Sequence, residues 1–67
     1  MDWTTLNSSN LSAMRYDAQS KLLQIRFVSG RTYAYQDVPQ EVADGLESAG
    51  SPGQYFNAEI KNSFAQG

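Results

Sequence analysis

The stretch that decides the fold runs from Lys21 to Gln36, KLLQIRFVSGRTYAYQ. Its apolar residues recur every second position, which is the period of a pleated strand and not of a helix. Leu23, Ile25 and Phe27 point one way; Leu22, Gln24, Arg26 and Val28 point the other. Ser29-Gly30 then reads as a two-residue hairpin link, with the glycine supplying the positive φ that primed turns require. Arg31 to Gln36 runs back as a strand rich in Thr and Tyr, residues that suit a pleated surface.

Upstream, Leu11 to Tyr16 is a further strand, joined to Lys21–Val28 by the polar turn Asp17-Ala18-Gln19-Ser20. Short links make the three strands antiparallel neighbours, a meander. Residues 1–10 are polar, with Thr4, Thr5, Asn7, Ser8, Ser9 and Asn10, and Trp3 is read as their one large apolar residue, so they read as a loose lead-in. A docked Trp3 and an exposed one are both compatible with that reading.

Downstream, the spacing turns helical. Val38, Val42, Leu46 and Ala49 recur on one helix face. Pro39 belongs to its first turn and Gly50 stops it in a left-handed conformation. Gly45, inside that helix, costs about 1 kcal/mol against Ala. Ser51-Pro52-Gly53-Gln54 has the pattern of a capping box with Pro at the first helical position, starting a second helix. That helix carries Phe56, Ile60 and Phe64 on one face, with Tyr55 beside them. The expected architecture is α+β: a three-stranded meander followed by two short helices packed on one face, β-β-β-α-α. A sheet this small leaves an apolar face open and short helices are marginal in water, so each half needs the other.

Sixty-seven residues make one domain with a core near the lower limit of self-sufficiency. The chain has neither Cys nor His, so disulfides, the common zinc sites, thiolate nucleophiles and histidine triads are all ruled out. No phosphate-binding loop is present, since the Gly-containing turns are too short. Asp37, Glu41, Asp44 and Glu47 fall at the spacing of a solvated helix face, not of an acid–base pair. The reading is therefore of a non-enzyme without cofactor or metal. The N-terminus has no basic, apolar leader and the chain no membrane-length apolar run, which places it in the cytoplasm without a membrane partner.

Two features point toward binding. Tyr33 and Tyr35 lie on the same side of one strand, where they could stack bases. The competing reading puts both rings in the core beside Leu23, Ile25 and Phe27, and it is favoured because Thr32 and Ala34 on the other side are too small for a core. Arg15, Arg26 and Arg31 come from three adjacent strands and, with Lys21 and Lys61 at the margins, could form a basic stripe. Their parity is mixed, and arginines on a small sheet are commonly just a solvated surface. The net charge of −2, seven acids against five bases, opposes a general electrostatic role on nucleic acid but leaves a local basic face open.

Several stretches also carry a family likeness. They are Ser8-Ser9, Tyr16-Asp17, Leu23-Gln24-Ile25-Arg26-Phe27, Ser29-Gly30, Tyr33-x-Tyr35 and Val38-Pro39. Leu46, Ala49, Ser51, Gly53, Tyr55-Phe56-Asn57, Ile60-Lys61 and Phe64 continue them. In this order and spacing, Ser8 to Phe64 resembles the KTSC domain, a family named for the C-terminus of some lysyl-tRNA synthetases and found also as free-standing bacterial and phage proteins. Lys61 and Phe64 stand where arginine and tyrosine would be expected. The resemblance implies a single domain over residues 8–67 behind a flexible lead-in over 1–7, and it suggests a tRNA-like RNA partner. Arg15, Arg26, Arg31, Tyr33, Tyr35 and Lys61 are the candidate contacts. The rival expectation is a monomeric accessory module that binds another protein.

Overall fold

The computed structural model describes residues 3–64. Four strands and two helices follow in order: β1 (Thr4–Thr5), β2 (Leu11–Asp17), β3 (Leu22–Phe27), β4 (Thr32–Tyr35), α1 (Gln40–Ser48) and α2 (Pro52–Tyr55). A π-helical turn, Phe56–Ile60, extends α2. The strands form one antiparallel sheet in chain order. The α+β class and the meander are as the sequence predicts, but the sheet has four strands rather than three.

The extra strand lies in the stretch read as a loose lead-in. Thr4 pairs with Met14 and Thr5 with Ala13, and Leu6 follows them into the core at 6% exposure. Two residues are too few to show a period, so the sequence pattern could not reveal it. Thr4 to Leu6 therefore pack on the sheet and its core; Met1 and Asp2 lie outside the described residues.

Both helices cover the same face of the sheet. Met14, Leu23 and Ile25 from that face, with Leu11, Val38 and Tyr35, close on Ala43 and Leu46 of α1 and on Phe56 and Ile60 of the second helix. Burying side chains of this size contributes about 1.5–3 kcal/mol apiece, which is what holds two short helices in place. Two tyrosine hydroxyls fasten the helical layer, one to the sheet and one between its two helices. Tyr16 donates to the Val38 carbonyl ahead of α1, and Tyr55 donates to the Val42 carbonyl at 3.0 Å.

The turns differ in detail from their sequence reading. The β3–β4 link is a three-residue loop, Val28-Ser29-Gly30, closed by Phe27 N–H to Arg31 C=O at 2.7 Å. Gly30 takes the positive φ, 98°, as the last residue of that loop. At the β2–β3 turn Lys21 has φ 57°, and the Asp17 carboxylate accepts the Gln19 N–H at 3.0 Å. Pro39 caps α1 rather than entering it, and α1 ends through an extended Ala49, so Gly50 supplies no left-handed stop. Ser51 caps α2 with its backbone only; its carbonyl takes the Tyr55 N–H at 3.0 Å and no side-chain capping bond forms. Pro52 at the first helical position stands as expected. Among the described residues no helix is long and apolar enough to cross a membrane.

Candidate functional site

With both helices on one face, the other face of the sheet is open. Residues of the opposite parity stand there: Ala13 and Arg15 of β2, Gln24 and Arg26 of β3, Thr32 and Ala34 of β4. Continuing the β1–β2 register by one residue sets Trp3 opposite Arg15. Its indole is half-buried under two guanidinium groups, with the Arg15 carbon 4.6 Å and the Arg26 carbon 4.3 Å from the ring centroid. Both distances fall within the range of a cation–π contact. Arg15 Nε also donates to the Gln24 carboxamide across the strands. The outcome is a patch of one indole and two guanidinium groups packed against it.

A second feature lies on the helical side, at the end of the sheet marked by the β3–β4 loop. There a groove of about 670 Å³ opens between that loop, the Ser9–Leu11 segment and the second helix. Its floor is an aromatic cluster joined edge to face. Phe27 meets Tyr33 and Phe56 at 5.4 Å each, and Tyr35 meets Phe56 at 5.7 Å. Asn57 and Lys61, one at each end of the π-helical turn, line the helix side. That turn is closed by Lys61 N–H to Phe56 C=O at 2.9 Å, five residues apart. The opposite wall is stiffened by the Ser8 hydroxyl, which accepts the Asn10 and Leu11 N–H groups at 3.1 and 3.2 Å. Beside the groove, Arg31 donates to the hydroxyl of the lining Tyr33 at 3.4 Å; that bond raises the guanidinium pKa further.

The six residues singled out in the sequence thus do not form one surface. Arg15 and Arg26 share the open face. Arg31, Tyr33 and Lys61 stand around the groove, and Tyr35, 2% exposed, is core and groove floor. Both tyrosines face the helices, so neither stacks a base on the open sheet. The sequence reading left Trp3 undecided and used Gln24 and Asn57 only for the family resemblance, not as candidate contacts. Trp3 carried one signal, being the chain's sole tryptophan, but no period to orient it.

The family match spans the groove and, on the open face, Arg15, Gln24 and Arg26 but not Trp3. The model of the KTSC domain family matches residues 7–64. This chain belongs to the KTSC domain family. A solved KTSC domain protein from Yersinia pestis superposes with a TM-score of 0.94 at 30% identity, covering 98% of this chain and 93% of that one. A protein of Stutzerimonas stutzeri is 39% identical over 61 residues, 91% of this chain and 86% of its own length. A lysine–tRNA ligase of Nostoc is 41% identical over 56 residues, which is 84% of this KTSC domain but 10% of the ligase. The KTSC fold therefore occurs both as nearly a whole chain and as a small part of a long enzyme.

Proposed function

We propose that this KTSC domain is a non-catalytic module that binds single-stranded RNA on its open sheet face. The observation that carries the reading is the Trp3 indole packed against the Arg15 and Arg26 guanidiniums. Bases stack on aromatic rings and on guanidinium planes, and phosphates pair with the same arginines. The net charge of −2 is compatible with this because, although Asp17 shares the parity of Arg15 on β2, four of the acids stand away from the open face. Glu41, Asp44 and Glu47 sit exposed on α1 and Glu59 on the π-helical turn, in the layer on the far side of the sheet. The ligase relatives, named for charging tRNA, support RNA over DNA as the strand.

Titration of isotope-labelled protein with a short mixed-sequence RNA and with tRNA tests this. Shifts are expected at the Trp3 indole, Arg15, Gln24 and Arg26. With two arginines each neutralising one phosphate, log K should fall with log salt at a slope of about −1.4, taking ~0.7 per phosphate for a single strand. Affinity unaffected by Arg15→Gln with Arg26→Gln, or shifts confined to the groove, would overturn it.

A further inference from the structure

The groove and the outer edge of β4 form a second site on the other side of the sheet. Among the described residues no strand pairs with that edge, since β4 ends the sheet order. Phe27 and Arg31 are a hydrogen-bonded pair, so by antiparallel alternation Ile25–Tyr33 and Leu23–Tyr35 are too. Thr32 and Ala34 then turn their backbone N–H and C=O groups outward. Natural edges are guarded by lysine, proline or inward charge; Thr32-Tyr33-Ala34-Tyr35 carries none of these.

The groove beside this edge has a marked chemistry. Its floor is aromatic, and Val28, the exposed large apolar side chain at 62%, stands on its lip. Its rim holds the Lys61 ammonium and the carboxamides of Asn57 and Asn62, and among the described residues no carboxylate lines it in an otherwise acidic chain. One ammonium with neutral donors suits a monoanion. The volume of about 670 Å³ exceeds the need of a single ring and fits several residues. Asn57 and Lys61, four residues apart on the second helix, share one face and so line the same wall, and π-helical turns recur at functional sites.

We infer that this groove captures the C-terminus of another polypeptide. The last residues add as a short strand to the edge of β4, a large apolar terminal side chain rests on Phe27 and Tyr33, and the terminal carboxylate meets Lys61. The site is independent of the RNA face, because Trp3, Arg15 and Arg26 lie across the sheet from it.

Three probes test it on the intact labelled protein: an acetylated Gly-Val-Phe peptide with a free carboxylate, the same peptide amidated, and N-acetyl-phenylalanine. The free-acid peptide should shift Val28, Tyr33, Ala34, Asn57 and Lys61. Amidation should weaken it at least tenfold. Lys61→Gln, at an exposed position, should leave the spectrum folded while making acid and amide bind alike. An amide as tight as the acid overturns the proposal. So does N-acetyl-phenylalanine as tight as the peptide, which would mark a small-molecule pocket, and so do shifts gathered at Trp3. Retained peptide binding in Trp3→Ala would separate this site from the RNA reading, whichever way that falls.

Discussion

Gly45 sits mid-helix in α1, where propensity alone says that Ala would stabilise by about 1 kcal/mol. The structure reverses the sign. A Cβ built at Gly45 would lie 2.7 Å from Cζ of Tyr55 and 3.0 Å from Cε2, because that ring crosses α1 flat against the glycine to reach the Val42 carbonyl. Gly45→Ala should therefore destabilise by about 1–3 kcal/mol, the usual cost of overpacking. A lowered urea midpoint checks this. Combining it with Tyr55→Ala should recover part of the loss, since the clash is then gone. The sequence signalled Gly45 as a weakness and stayed silent on its use, because the contact joins residues ten apart on two helices. Tyr35 shows the reverse: its parity with Leu23 and Ile25 in the hairpin already placed it in the core.

At the level of elements, β1 is the piece that pattern reading had no means of finding. Its worth rests on Leu6, 6% exposed at the end of a two-residue strand, with its N–H on the Ser12 carbonyl at 3.0 Å. Leu6→Ala should cost about 2–4 kcal/mol. For a domain whose whole stability is of order 3–10 kcal/mol, that brings the melting transition close to working temperature, as calorimetry would show. A variant as stable as the parent would mean that β1 is dispensable. The hairpin was legible because Gly30 announces a positive φ wherever the loop places it, although not the loop's length. The groove was not legible. Its walls come from four separate segments, and over five residues the π-turn is indistinguishable in sequence from an ordinary helix. Of its lining, the sequence offers only Tyr33 and Tyr35, as a pair of rings on one strand, and Lys61, at the margin of a basic stripe, as candidate contacts.

For the molecule as a whole, the two tyrosine clamps make folding answer to alkali. Burial raises the Tyr16 pKa, with Asp44 and Asp17 adding repulsion, and burial together with Glu59 raises that of Tyr55. In the unfolded chain both ionise near 10. Above that pH the unfolded state gives up its protons first, so the stabilisation present below about pH 10 is lost as pH climbs through the folded values. Urea midpoints should hold from about pH 8 to near 10 and then fall. In Tyr16→Phe with Tyr55→Phe the curve should start lower and decline less. An equal decline would put the alkaline sensitivity elsewhere.

The position of Trp3 has an optical consequence. As the chain's sole tryptophan, it gives an emission that senses the outer strand and the two arginines over it, and nothing of the core. Near-ultraviolet circular dichroism of the tyrosines, by contrast, follows the packed interior around Tyr35 and Tyr55. Unfolding curves recorded by the two signals superimpose only if β1 leaves together with the rest. An earlier emission midpoint would show the outer strand detaching from a core that is still folded.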